Sequence, residues 1–253
     1  MPEVLLERSD RVAVITVHDP ERRNALTLDL SDELVAAVRA CEQDTGVNAV
    51  VVTGTPPAFC AGADLTALGE AREEGLRRIY AGFLAVADCS LPTVAAVGGA
   101  AVGAGLNLAL ACDVRLVGPK ARFDARFLQL GIHPGGGMTW LLHRLAGPQA
   151  ATAMTLFGQV LDADAAVRHG VAWERVDGGH DELVASAVEF ARAAAEAPRD
   201  LVRTIKATMR RTAVTDAHAD AVDLEITPQV ASIETPEFAA KLAAMKARIS
   251  GRR

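Results

Sequence analysis

Over the first two-thirds of the chain, short apolar runs rich in β-branched residues alternate with stretches whose apolar positions recur every three or four residues. Val12–Val17, Ala49–Thr53, Thr93–Val97 and Val114–Val117 are predicted as strands, because β-branched side chains suit a pleated, buried surface. Between the first two, Leu30, Leu34, Ala37, Val38 and Cys41 fall on one helical face, so Thr27 to Cys41 is predicted as a helix with Thr27 or Asp29 as its N-cap. A short helix is predicted over Gly103–Ala111. This alternation predicts an α/β fold whose units vary too much in length for a solenoid. After a strand predicted at Val171–Val176, the chain from Asp181 onward is helical in composition, with Pro198, Pro228 and Pro236 as helix starts or breaks. Leu201–Arg211 and Phe238–Ile249 are amphipathic with basic faces, which fits a solvated face, a subunit-facing one, or one that meets an anionic ligand.

The segment from Ser90 to Cys112 carries no charge and approaches the length of a membrane span. Pro92, Asn107 and its glycines break it into a strand, a turn and a short helix, so no membrane insertion is expected. The whole chain has 253 residues, of which half are apolar and 23% charged, as in a globular domain. Its 32 acidic against 26 basic residues give a formal net charge of −6, which argues against a nucleic-acid binder. Aromatics make up only 4%, so the core must be built from Ala, Val and Leu at close approach. The four cysteines, Cys41, Cys60, Cys89 and Cys112, form no CxxC pair, and the N-terminus lacks a basic region followed by an apolar stretch. Reduced thiols and a cytoplasmic location are therefore expected.

Several chemistries find no support. There is no GxSxG elbow, no HExxH, no zinc-spaced Cys/His set and no GxxxxGK[ST] phosphate loop, so no metal is expected. Gly98, Gly99, Gly103 and Gly105 loosely imitate a dinucleotide fingerprint, but Leu108 stands where a third glycine is needed.

Two segments share one design. In Ala58–Leu65, small residues join a strand to a helical stretch, so the amides of Ala61 and Ala63 can face a ligand. Gly98–Asn107 repeats the arrangement. A carbonyl oxygen between one amide from each junction would meet two donors, one of them at a helix N-terminus. Such an oxyanion hole suits an enolate or a thioester carbonyl, although glycine-rich turns also serve purely structural ends.

The sequence resembles the crotonase superfamily, the enoyl-CoA hydratase/isomerase family, over nearly its whole length. The resemblance rests on PERRNALTLDLSDEL (Pro20–Leu34), AFCAGADL (Ala58–Leu65), VGGAAVGAGLNLALACD (Val97–Asp113), and LGIHPGGG (Leu130–Gly137) running on to Leu145–Gly147. It implies a core of ββα units in a spiral over residues 1–195. A C-terminal helical region over 196–253 would build a homotrimer, often paired into a hexamer. It also implies an acyl-CoA thioester as substrate or ligand, with no other cofactor and with a place in fatty acid metabolism. The N–H groups of Ala63 and Ala104 would hold the thioester oxygen, alanine standing at 104 where the family usually has glycine. Arg23, Ala25, Ala61, Asp64 and Leu65 would line the coenzyme A path, with Arg22 or Arg23 suited to its phosphates. Asp64 also fits as the cap of the following helix.

Family hydratases use two glutamates to add water. Laid on the motifs, these positions hold Asn107 and Phe127. A carboxamide cannot take a proton near neutral pH, and phenylalanine can only pack. Gly135–Gly137 offers none of the aspartates that some relatives carry in that loop. Of the nearby polar residues Asp124, Arg126, Gln129 and His133, the histidine suits proton transfer best, although it also fits as a surface residue, and Asp124 is expected in a loop. Two readings remain: a crotonase-type lyase or isomerase with weak or altered chemistry, or a non-catalytic protein that holds or hands on acyl-CoA.

Overall fold

The computed structural model describes residues 1–70 and 72–250. It divides into two compact units, Met1–Ala195 and Glu196–Arg253.

In the first unit, strands β1 (Glu3–Ser9) and β2 (Val12–His18) form an antiparallel hairpin that leads into helix α1 (Leu28–Gln43). Then come β3 (Ala49–Gly54), β4 (Ala58–Cys60), α2 (Leu65–Glu70) and α3 (Glu73–Asp88), followed by β5 (Thr93–Val97), β6 (Ala100–Val102) and α4 (Ala104–Ala111). The next pair, β7 (Val114–Val117) and β8 (Arg122–Asp124), precedes α5 (Met138–Leu145) and α6 (Gly147–Leu156). β9 (Leu161–Asp162), α7 (Ala163–Arg168), β10 (Glu174–Arg175) and α8 (His180–Glu196) complete it. In the pairs β3–β4, β5–β6 and β7–β8 the first strand joins a six-stranded sheet in the order β1-β2-β3-β5-β7-β10, and the second joins a smaller sheet in the order β4-β6-β8-β9. From β2 across to β10 every pairing in the large sheet is parallel. The result is a mixed α/β fold of repeating strand–strand–helix units.

Period-two alternation explains how the large sheet is covered on both sides. Ala13, Ile15, Val17, Val50 and Val52 belong to the main core, packed with Leu30, Leu34, Val38 and Cys41 of α1. Val12, Val14, Val51, Val94 and Ala96 point the other way, onto Leu183, Ala187, Ala191 and Ala195 of α8. Those four helical residues repeat every fourth position and so form one stripe. Burial on both faces is why these strands read as near-continuous apolar runs. Thr27 caps α1, its hydroxyl accepting from Leu30 N–H at 3.1 Å.

The uncharged stretch Ser90–Cys112 folds as β5, β6 and α4, and no helix among the described residues is long and apolar enough to cross a membrane. All four cysteines are free and buried. Burial pushes the Cys41 and Cys60 thiols up to about 12, so both stay protonated and unreactive at neutral pH.

Three expectations are corrected. The strand predicted at Val171–Val176 shrinks to Glu174–Arg175. Val171 and Ala172 instead donate to Ala166 O at the end of α7, and Val171 O accepts from the buried Arg115 Nε at 2.5 Å, so their backbone groups are not available for a ladder. Asp124 is not in a loop: it ends β8 and is buried, its carboxylate accepting from Arg126 Nε at 2.8 Å. Pro228 neither starts nor breaks a helix but lies inside one, at the cost of a single backbone bond.

That helix belongs to the second unit, which consists of α9 (Arg199–Thr212), α10 (His218–Ile233) and α11 (Pro236–Ser250). Pro198 is the N-cap of α9, and Pro236 opens α11. Ile205, Met209, Ile226, Val230, Met245 and Ile249 are exposed on these helices.

The packing of α4 on β4 is close enough to exclude a side chain: a Cβ on Gly105 would stand 2.0 Å from Cys60 O. Gly105→Ala is expected to destabilise the protein by about 1–3 kcal/mol or more, because the obstacle is backbone. A fall in the urea midpoint at unchanged slope measures this.

Candidate active site

Three backbone segments meet at the strand-to-helix junctions. The loop after β2 turns at Arg23 and Asn24, both at positive φ (54° and 59°). Asn24 is buried and holds this loop on the β3–β4 connection. Its Nδ2 donates to Thr55 O at 2.7 Å and Ala58 O at 2.8 Å, and its Oδ1 accepts from Asp19 N–H at 2.9 Å. The loop then runs alongside the segment after β4. Ala61 N–H donates to Arg23 O (3.0 Å), Leu26 N–H to Gly62 O (2.7 Å) and Asp64 N–H to Leu26 O (2.9 Å), making a parallel bridge between Leu26 and Ala63.

This pairing separates the two amides that the sequence treats alike. The Ala61 N–H is used within the fold, so it does not face a ligand, which corrects that expectation. In a parallel bridge Leu26 uses the groups of residues 62 and 64, so the Ala63 N–H points away, and it has no backbone acceptor among the described residues. The second junction is equally well anchored. Gly103 N–H donates to Asp124 O at 2.9 Å, and Gly103 caps α4 at φ 51°. Ala104 is the first residue of that helix, where an N–H has no intrahelical partner, and none is found for it among the described backbone bonds. Gly62 brings the two junctions together: at φ 109°, its Cβ would lie 2.9 Å from Val102 O and 3.9 Å from Ala104 N. Ala63 and Ala104 thus follow two closely packed turns.

Asn107 lies one helical turn after Ala104 and is 1% exposed. Its Nδ2 donates to Gly135 O at 3.0 Å, and its Oδ1 is buried without a partner. The turn containing Gly135 brings with it residues that carry no motif in the sequence. A Cβ on Gly136 would meet Phe83 Cζ at 2.5 Å, and one on Gly135 would meet the Tyr80 hydroxyl at 2.2 Å. The Tyr80 and Phe83 rings are 5.4 Å apart. Being the chain's single tyrosine is the one sequence signal Tyr80 carries. Asn24 lies inside the Pro20–Leu34 motif, with nothing in its spacing to mark it.

The remaining candidates are more dispersed. Phe127 is half-buried and packs on the main core, with its carbonyl accepting from Ile132 N–H at 3.1 Å. His133 is exposed, its Nδ1 hydrogen-bonded to Pro134 O at 2.7 Å, so the imidazole is not brought into the buried cluster around Asn107. The Asp64 carboxylate accepts from Thr66 N–H at 3.1 Å at the start of α2, as a capping residue does. Leu65 is exposed and Ala25 half-buried. The Arg22 Nε binds the Asp19 carboxylate at 2.7 Å, whereas Arg23 is exposed and has no ion pair among the described residues. Among the described residues no group of three or more His, Cys, Asp or Glu could hold a metal ion. A groove of about 1150 Å³ on the outer face of the large sheet, lined by Glu7, Arg175, His180 and Glu189 among others, contains none of these candidates.

A family model described as enoyl-CoA hydratase/isomerase matches residues 7–246. The Probable enoyl-CoA hydratase EchA14 of Mycobacterium tuberculosis is 54% identical over 254 residues, covering 97% of this chain and 98% of the relative. A Probable enoyl-CoA hydratase of Rhodobacter capsulatus is 42% identical over 177 residues, covering 67% of each chain. The solved structure of an enoyl-CoA hydratase from Bacillus anthracis superposes with a TM-score of 0.90 at 27% identity, covering 97% of this chain and 96% of that one.

Replacing Asn24 by alanine strands two carbonyls and the Asp19 amide in a buried place. A loss of about 2–3 kcal/mol in unfolding free energy is expected, measured by denaturant titration.

Proposed function

Because the chain belongs to the enoyl-CoA hydratase/isomerase family, we propose that it binds an acyl-CoA thioester between the Ala63 and Ala104 N–H groups and adds water to enoyl thioesters weakly or not at all. One observation carries this reading: two amides without backbone acceptors, on two junctions pressed together at Gly62. Donors fixed in this way need no reorganisation when negative charge develops on a thioester oxygen, and the α4 N-terminus adds its dipole. The exposed Arg23 guanidinium is available to coenzyme A phosphates, while Asp19 engages Arg22.

Hydration needs a group that takes a proton from water and one that gives a proton to the α-carbon, each worth typically 10²–10⁴-fold. Asn107 and Phe127 do neither, and the Asp124 carboxylate is committed to Arg126. The same residues favour a second reading, a non-catalytic holder of acyl-CoA, since an intact pair of donors serves binding without a base. The apolar side chains exposed on α9–α11 support assembly as a homotrimer or a dimer of trimers.

Crotonyl-CoA hydration, followed by loss of the enoyl thioester absorbance, is expected to run at least about 100-fold below an ordinary hydratase. The double variant Asn107→Glu, Phe127→Glu is expected to raise it, and an unchanged rate would mean that these positions do not face the β-carbon. Ala104→Pro removes one donor at the helix position that best tolerates proline. It should weaken butanoyl-CoA binding about tenfold in calorimetry while leaving free coenzyme A binding unchanged.

A further inference from the structure

The chain leaves β8 through a strained turn. Phe127 N–H donates back to Ala125 O at 2.8 Å across Arg126, whose φ is 62°. A bond closed over a single residue at positive φ is the rare form of γ-turn, and for a residue with a Cβ it is unfavourable. Glycine would adopt it freely, so an arginine here contributes through its side chain. Its Nε and Nη2 both donate to Asp124 Oδ2, the first at 2.8 Å, which folds the guanidinium back over the turn onto a buried carboxylate. Backbone strain of this kind persists where surrounding contacts over-determine it.

The turn delivers Phe127. On one side of it, Asp124 O accepts from Gly103 N–H at 2.9 Å, which ties the end of β8 to the residue that caps α4 just ahead of Ala104. On the other, Phe127 O accepts from Leu130 N–H and Ile132 N–H, both at 3.1 Å, and closes the following loop. In that loop Leu128, Leu130 and Ile132 are exposed, whereas the Phe127 ring packs on the main core. Arg126 thus stands between an anchored point beside Ala104 and the aromatic ring that the loop turns inward.

We propose that Asp124 and Arg126 are positioning residues: their ion pair holds the γ-turn that fixes the Phe127 ring as an apolar wall of the acyl site, against which the methylene groups of an acyl chain pack. The proposal rests on the acyl-CoA reading above and adds to it two residues that act through a third. A ring held by its backbone meets the chain without first being ordered, and that ordering is what binding otherwise has to supply. The clamp moves no proton and makes no covalent bond.

The test is calorimetric titration of the full chain with butanoyl-CoA and acetyl-CoA, which differ by two methylene groups. The unaltered protein is expected to bind butanoyl-CoA about tenfold more tightly. Arg126→Ala and Asp124→Ala should each reduce that preference severalfold, and Arg126→Gly should lose less of it than Arg126→Ala because glycine keeps the turn. Phe127→Ala should reduce it as well, and adding Arg126→Ala to Phe127→Ala should then change it by less than about twofold, since residues acting through one ring are not additive. If folded Arg126→Ala and Asp124→Ala keep the full preference, or if the Arg126→Ala effect persists undiminished beside Phe127→Ala, the proposal is overturned and the thioester reading stands. Equal binding of the two thioesters by the unaltered protein overturns it too. If that protein binds neither, the acyl-CoA reading falls and takes the proposal with it. Denaturant titration supplies an arm that needs no ligand: Arg126→Gly should unfold at a higher midpoint than Arg126→Ala, the reverse of the order at an unstrained position. A midpoint for Arg126→Ala equal to or above that of Arg126→Gly would show that residue 126 is not strained, and the proposal would fall on that result alone.

Discussion

Backbone touching backbone is the constraint from which the arrangement of the site follows. Where α4 begins, Gly105 lies so close to Cys60 O that a Cβ would come within 2.0 Å, and at Gly62 the chain passes Val102 O almost as tightly. Helices and strands are ordinarily held apart by their side chains, at spacings of roughly 10 Å. Here glycine and alanine remove that spacer at two successive strand-to-helix junctions, and the two backbones come into contact. The methyl groups of Ala63 and Ala104 pack on the main core and are small enough to leave their own amides unobstructed. A composition with 4% aromatics suits this kind of packing.

The junctions would be soft if only van der Waals contact held them, and Asn24 supplies the rigidity. With its donors on Thr55 O and Ala58 O and its acceptor on Asp19 N–H, one buried carboxamide ties together the loop after β2 and the β3–β4 connection. The same loop then aligns with residues 61–64 through the Leu26 bridge, leaving the Ala63 N–H directed outward. Asn107 does related work on the far side, with one half of its amide spent on Gly135 and the other unspent. A carboxylate in place of Asn24 would meet the Thr55 and Ala58 carbonyl oxygens, which it could only repel.

Much of this was legible from periodicity. β5 and β7 match their predicted spans, and α1 and α4 differ by a residue or two at their ends, because burial on one stripe or both faces leaves a direct trace in residue order. Val171–Val176 misled because apolar, β-branched residues look alike whether their backbone joins a ladder or serves as acceptor for a buried guanidinium. The family resemblance pointed to Ala63, Ala104 and Asn107, but it could not show which of the Ala61 and Ala63 amides is consumed internally. That depends on the hydrogen-bonding parity of a bridge to residue 26, which is remote in sequence. Tyr80 was invisible for the same reason: its neighbours are Gly135 and Phe83, and only the folded turn brings the first of these to it.

The two-sided covering of the large sheet also orders the protein's synthesis. The outward stripe of Val12, Val14, Val51, Val94 and Ala96 has its cover in α8, a helix that begins only at His180. On the ribosome the strands emerge first and wait for most of the remaining first unit before that face can close. At about 5–20 residues per second, this leaves an apolar, strand-lined surface uncovered for several seconds. A stop within α8 leaves that stripe without its cover, so the flaw of such a product is an exposed apolar sheet face.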